Sequence, residues 1–183
     1  MNILAISGSL RAASTNTALV RAIPTLAPEG MAFTIYDGLA ELPHFSPEID
    51  GDDVPASVME LRDLLKAADG VLICTPEYAY GMPGSLKNAL DWTVSSGEFS
   101  RKPVAALSAS PSYLGGEKAH ASLLLVLRAL DAEVAGEATL IIPHVRTKLS
   151  ANGTVSDPET ARALRAVLDA LAGLVHGATK NSA

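Results

Sequence analysis

Short apolar runs alternate with stretches of helical periodicity along this chain. The runs occupy residues 3–6, 32–36, 71–74, 104–107 and 139–142. They lack the apolar–polar alternation of a strand with one wet face, so each predicts a strand covered on both sides, as in a parallel sheet. Between them, apolar residues recur at helical spacing. Leu19, Val20 and Ile23 share one face; so do Val58, Leu61, Leu64 and Leu65. Leu86, Ala89 and Leu90 mark a third helix, and Leu123, Leu124, Leu127 and Leu130 a fourth. Leu164, Val167, Leu168, Leu171 and Val175 mark the last. Asp157 followed by Pro158 predicts its start, because proline is tolerated at the first helical position.

Strands alternating with helices imply βαβ units with right-handed crossovers and helices on both faces of the sheet. Five strands need no sixth to complete the order 2-1-3-4-5. The expected fold class is therefore α/β, a flavodoxin-like three-layer sandwich around a five-stranded parallel sheet. No repeat or linker divides the chain, so residues 1–183 are expected to form one domain ending in a short disordered tail. The longest irregular stretch, about 37–54, holds Pro43, Pro47 and Asp50-Gly51-Asp52-Asp53. A loop of that length is usually functional or mobile; its acidic run does not fit a calcium loop and reads as a solvated turn.

Composition narrows the function. Hydrophobic residues at 48% and charged residues at 19% exclude a disordered chain. Fourteen Lys and Arg against 20 Asp and Glu leave a net charge of −6, which argues against general binding to nucleic acid or anionic membrane. A single cysteine, Cys74, excludes an intrachain disulfide and any multi-cysteine metal site; in an apolar strand it reads as a buried, inert thiol. No apolar run reaches ~18 residues, so no membrane insertion is expected. The apolar start is too short for a secretory signal and reads as a strand, so a cytoplasmic location is expected. His44, His120, His144 and His176 lack metal-ligand spacing and read as surface or loop residues; no metal site is expected.

In this order of strands, ligands bind beyond the carboxyl ends, at the loops after strands one, three and four. The first loop, Ser7-Gly8-Ser9-Leu10-Arg11-Ala12-Ala13-Ser14-Thr15-Asn16-Thr17, ends on a helix N-terminus and has no acidic residue. Free N–H groups and the helix dipole favour a phosphate there. Ser9, Ser14, Asn16 and Thr17 can donate hydrogen bonds to it, and Arg11 a charge-assisted one. A helix cap with ordinary loop serines is the competing reading. The loop has neither G-x-x-x-x-G-K-[ST] nor G-x-G-x-x-G. The second loop, Thr75-Pro76-Glu77-Tyr78-Ala79-Tyr80-Gly81-Met82-Pro83-Gly84, forms a stiff, partly apolar wall suited to a flat aromatic ligand, or else a rigid turn. The third, Ser108-Ala109-Ser110-Pro111-Ser112-Tyr113-Leu114-Gly115-Gly116, is small enough for close backbone approach.

The pairing of G-S-L-R-x-x-S-x-N (residues 8–16) with T-P-E-Y-x-x-G-x-P-G-x-L-K-N-A-L-D-W (residues 75–92) resembles the NAD(P)H-dependent FMN reductases over roughly residues 1–175. That family includes quinone, chromate and azo-dye reductases. The resemblance implies non-covalent FMN and a homodimer or homotetramer. It places Ser9, Arg11, Ser14, Asn16 and Thr17 around the FMN phosphate. Pro76, Glu77 and Tyr78 would line the isoalloxazine ring through backbone groups, with Ala79 beside them and Gly81 near its edge. Ser108 and Gly115 would flank the other side. Two positions depart from the family pattern: Ala79 stands where relatives often have asparagine, and Pro111 removes a backbone donor from the third loop.

The expected activity follows from the cofactor. NADPH or NADH would pass hydride to the flavin, and a quinone-like acceptor would then take two electrons at the same face, by ping-pong kinetics. No side-chain acid or base is needed, so no catalytic residue is assigned. Tyr78 and Tyr80 are candidates for shaping the substrate pocket. Two other classes compete: a flavodoxin-type electron carrier without nicotinamide turnover, and a binding module on this fold that has lost its cofactor. Fold alone does not decide among them.

Overall fold

A computed structural model describes residues 1–51 and 53–181 of the chain. The apolar runs become β1 (Asn2–Ser7), β2 (Ala32–Tyr36), β3 (Gly70–Thr75), β4 (Val104–Ala109) and β5 (Thr139–Ile142). They form one parallel sheet in the order β2-β1-β3-β4-β5, as expected. The register pairs Ile3 with Phe33 and Gly70, Val71 with Val104, and Ala106 with Thr139. Five α-helices connect the strands: α1 (Thr15–Ala22), α2 (Ala56–Ala67), α3 (Gly84–Asp91), α4 (Glu117–Ala129) and α5 (Pro158–Asn181).

Side chains alternate across a strand, so each run feeds two cores. Leu4, Ile6, Val71, Ile73, Val104 and Ala106 pack against α2, α3 and α4 through Val58, Leu61, Leu65, Leu86, Leu90, Leu123 and Leu127. Ile3, Ala5, Leu72, Cys74, Ala105 and Leu107 pack against α1 and α5 through Leu19, Val20, Leu164, Leu168 and Leu171. Covered faces on both sides explain why these runs lack polar alternation. The start of α5 is as expected: Asp157 Oδ2 accepts from the Thr160 amide at 2.8 Å and from its hydroxyl at 2.6 Å. The helix continues to Asn181; Ser182 and Ala183, part of the expected tail, lie outside the described residues. Among the described residues no helix is long and apolar enough to cross a membrane.

The stretch from 37 to 54 departs from its expectation. It carries two 3-10 turns (Gly38–Glu41 and Pro47–Ile49) and is fastened to α3. Asn88 accepts from the Phe45 amide at 2.8 Å and donates to the Pro43 carbonyl at 2.9 Å; the Trp92 indole donates to the same carbonyl at 2.9 Å. Phe45 meets Trp92 edge to face at 5.1 Å. Asp50 is no solvated turn residue. Its side chain is 6% exposed and pairs at 2.5 Å with Arg62, itself 11% exposed. Arg62 also donates to the Trp92 carbonyl at 2.6 and 3.0 Å, and Ser95 donates to Asp50 at 2.6 Å. Gly51 and Asp53 are exposed as expected, while Asp52 lies outside the described residues.

One histidine also departs. His120 is buried on α4, with Nε2 3.2 Å from the Ala106 carbonyl. That carbonyl can only accept, so Nε2 carries the proton. Burial lowers the pKa of the ring, partly offset by this bond. His44, His144 and His176 are exposed.

Candidate functional site

The loops after β1, β3 and β4 converge on one cleft of about 200 Å³ at the carboxyl edge of the sheet. It is lined by Ser9, Arg11, Ser14 and Asn16 from the first loop, Pro76, Glu77 and Tyr78 from the second, and Ala109, Ser110 and Pro111 from the third. Gly8 makes this convergence possible. A Cβ there would lie 2.9 Å from Leu86 Cδ2 and 3.3 Å from Thr75 Oγ1, so the first loop passes directly against α3 and the end of β3.

At one end of the cleft, α1 presents its N-terminus, whose first amides have no partner within the helix. Ser14 is the N-cap: its hydroxyl oxygen accepts from the Thr17 amide at 3.3 Å, which leaves its O–H free to donate. The Ser9 oxygen likewise accepts from the Arg11 amide at 3.3 Å. Arg11 makes no ion pair among the described residues. Asn16 and Thr17 are instead engaged within the protein. Asn16 donates to the Ala109 carbonyl at 3.0 Å and accepts from the Cys74 thiol at 3.2 Å, tying the first loop to β3 and β4. Thr17 shares a 2.8 Å bond with Ser7. Cys74 is fully buried, and burial pushes its thiol up to about 12, so it is inert as expected.

The sequence reading missed Arg146. It follows β5 and reaches the same end of the cleft, because the segment after β5 is bonded onto the loop after β4. The Ser110 amide donates to the Ile142 carbonyl at 3.2 Å, the Val145 amide to the Ser110 carbonyl at 3.1 Å, and the His144 amide to the Ser112 carbonyl at 3.2 Å. The only signal in the sequence was a basic residue soon after the fifth apolar run.

The opposite end is the wall from Pro76 to Gly81. Tyr78 and Gly81 exchange two backbone hydrogen bonds of 3.0 Å, and Ala79 (φ 49°) and Tyr80 (φ 61°) lie between them. Two left-handed residues in a two-residue turn form a type I′ pattern, which favours Asn or Gly at both sites. Ala79→Asn should therefore raise stability by roughly 0.5–1 kcal/mol. The melting temperature would rise by roughly 1–4 °C; an unchanged or lower value in a thermal melt would show that Ala79 is not strained.

Glu77 does not direct its carboxylate into the cleft. Its Oε2 accepts from the amides of Lys118 and Ala119, at 2.9 and 3.1 Å, and caps α4 from 41 residues away in sequence. The N-cap of α4 is Gly116, which has no side chain to do so. Glu77→Ala should cost about 1–2 kcal/mol in a denaturant titration, the scale of a lost cap, with Glu77→Gln keeping part of it. Equal stability of Glu77→Ala and the native chain would exclude the cap.

Ser108 and Gly115, expected to flank a ring, lie behind the cleft surface. Ser108 is fully buried and donates to the Gly115 carbonyl at 3.0 Å. Gly115 (φ 63°) packs on β5, where a Cβ would come within 2.5 Å of Ile141 Cγ2 and 2.9 Å of the Pro143 nitrogen. Tyr78, Tyr80 and Tyr113, by contrast, are exposed, and Tyr78 lines the cleft. Among the described residues no group of three His, Cys, Asp or Glu could hold a metal ion.

The chemistry of the cleft's lining suits the phosphate end of a flavin mononucleotide. Donors and a helix N-terminus gather at one end, stiff walls stand at the other, and the one carboxylate in its lining is turned away onto α4. Comparisons with known proteins agree. Residues 1–147 match the model of the NADPH-dependent FMN reductase family. The chain is 34% identical over 173 residues to the NAD(P)H-dependent FMN reductase PA1204 of Pseudomonas aeruginosa, covering 93% of each. It is 31% identical over 177 residues to a quinone reductase of Escherichia coli, covering 94% of this chain and 90% of the relative. The structure superposes on FerB, a flavoenzyme NAD(P)H:(acceptor) oxidoreductase from Paracoccus denitrificans, with a TM-score of 0.87 and 30% identity, covering 96% and 97% of the two chains. With its three loops meeting at a phosphate-ready helix end and its first 147 residues matching the family model, this chain belongs to the NADPH-dependent FMN reductase family.

Proposed function

We propose that this protein is an FMN-dependent NAD(P)H oxidoreductase that delivers two electrons to a quinone or similar acceptor. The observation that carries this reading is the convergence of three loops on one cleft with a helix N-terminus and two arginines at one end. Ser9, Arg11, Ser14, Arg146 and the first amides of α1 would hold the phosphate, while Asn16 and Thr17 hold the loop in place. Backbone groups of Pro76, Glu77, Tyr78, Ala79 and Gly81 would face the ring system. Ser108 and Gly115 support the third wall from behind.

FMN, when bound, supplies the hydride-accepting and electron-donating chemistry. The chain's part is placement and electrostatics. The backbone N–H groups of Glu77 and Ala79 would stabilise negative charge on a ligand's polar edge, as oriented amides do elsewhere, while the Tyr78 amide is taken by the Gly81 carbonyl. The Glu77 cap keeps those amides in position. Tyr78, which lines the cleft, and Tyr80 on the same turn would favour a flat acceptor. Donor and acceptor meet the same open face and must alternate, which gives ping-pong kinetics with NADPH or NADH as donor. A homodimer or homotetramer, which the family resemblance implies, would cover exposed apolar residues such as Leu125 on α4. Both cores close on one sheet, which favours a single domain, and a lone reduced cysteine suits the cytoplasm.

The test is a visible spectrum of protein loaded with FMN and desalted. The flavin band should survive desalting, bleach with NADPH or NADH, and return when a quinone is added. A retained band that neither donor bleaches would instead make this an electron carrier. A band lost on desalting would remove the flavin reading.

A further inference from the structure

Beside the cleft lies a larger groove of about 690 Å³, within the ~300–1,000 Å³ usual for small-molecule sites. It runs between the outer face of α1 and the turn at 150–154, and it opens from the phosphate end of the cleft. Ala13, Ser14, Thr15 and Arg146 line both. We propose that this groove takes the adenylate half of a flavin dinucleotide, so that the protein binds FAD as well as FMN. This rests on the flavin reading of the cleft.

Charge supports the assignment. The chain carries a net −6, yet the described lining of the groove has two arginines, Arg21 and Arg146, and no Asp or Glu. Arg146 stands at the junction, where the second phosphate of a dinucleotide would follow the first. Arg21 lies farther along α1. Its 3.3 Å pair with Asp37 is open to water at both ends, 59% and 70% exposed, so that pair is weak and exchangeable. The floor has apolar parts, Ala18 and Leu149, that suit a purine face. The Asn152 oxygen and the Thr154 hydroxyl bond each other at 2.9 Å and hold the turn, which leaves the Asn152 amide nitrogen as a donor suited to the edge of the purine.

Position favours a flavin source over a nicotinamide one. A nicotinamide donor must lay its ring on the flavin ring, at the Tyr78 end of the cleft. The groove begins at the other end, beyond the flavin phosphate.

The test is calorimetric titration of the apo full-length protein with FMN, FAD and riboflavin. The native chain should bind FAD within about tenfold of its affinity for FMN. Ala18→Trp and, on the facing wall, Thr154→Trp should each weaken FAD at least tenfold and leave FMN unchanged. Unchanged FMN binding also shows that each variant is folded. If FMN binds but FAD does not compete at a hundredfold excess, the proposal is overturned and the flavin reading stands. Equal weakening of both flavins overturns it too. So does a raised KM for NADPH in FMN-loaded Ala18→Trp with FAD affinity untouched, which would give the groove to the nicotinamide donor's adenylate. If FMN itself does not bind, the flavin reading fails and this proposal falls with it.

Discussion

Arg11→Ala and Arg146→Ala should each weaken FMN binding about tenfold, and the double variant about a hundredfold. A hydrogen bond to a charged group contributes about 1.5–3 kcal/mol, and 1.4 kcal/mol is a factor of ten. Both guanidiniums are exposed at the rim, so the lower end of that range applies. Because the interaction is with the phosphate, riboflavin affinity should not move, and the native chain's preference for FMN over riboflavin should shrink as salt rises. Titration of the four proteins with both ligands, at two salt concentrations, decides it. A parallel loss of riboflavin affinity would take the arginines off the phosphate.

Arg62→Ala should lower the free energy of unfolding by about 3–5 kcal/mol, the scale for breaking a buried ion pair. It leaves Asp50 buried without its cation and the Trp92 carbonyl without its donor. The loss should appear as a lower denaturant midpoint, with the chain around Asp50 loosened while Asn88 and Trp92 still hold Pro43 and Phe45. Replacing both partners, Arg62→Met with Asp50→Ala, should recover part of the loss, because no unpaired charge then remains inside. Recovery is incomplete because the Trp92 carbonyl still lacks its donor. A midpoint unchanged in Arg62→Ala would show that the pair contributes nothing net.

The same pair sets an acid limit. Burial works against ionisation of Asp50, but the Ser95 hydroxyl and then Arg62 outweigh it and hold the carboxyl below its ordinary 3.8. A depressed folded-state value means the stabilisation is present above 3.8 and lost as pH falls through the lower folded value. Stability measured from pH 6 down to 2 should fall less steeply in Asp50→Asn than in the native chain.

Strands and core helices were legible because each depends on local pattern. A strand covered on both faces must be continuously apolar, and Ile3, Val71 and Val104 announced theirs. The three loops could be picked out because a parallel sheet places its ligands at carboxyl ends. What failed was reading individual side chains from type alone. Asp50 looked like a solvated acid beside other acids, yet Arg62, twelve residues on, draws it inside. His120 looked peripheral, but α4 turns it onto β4. Ser108 proves to be the penultimate residue of β4, its hydroxyl bonded to the Gly115 carbonyl, and Gly115 packs on β5, contacts that residue type did not announce.

From the sequence alone came the order of elements, the layers, the carboxyl-edge location of the site and the polar character of the first loop. All of these follow from periodicity, turn chemistry and the handedness of crossovers, which act over a few residues or a single βαβ unit. The sequence also pointed to Ser9, Arg11, Ser14, Pro76 and Tyr78, which line the cleft, and the tertiary structure alone added Arg146 and turned the Glu77 carboxylate away. Arg146 arrives through a strip of backbone bonds between two loops more than 30 positions apart, and Glu77 leaves the cleft to cap a helix 41 residues away. Such partners are selected by distance in space after the sheet has closed, and spacing along the chain carries no trace of them.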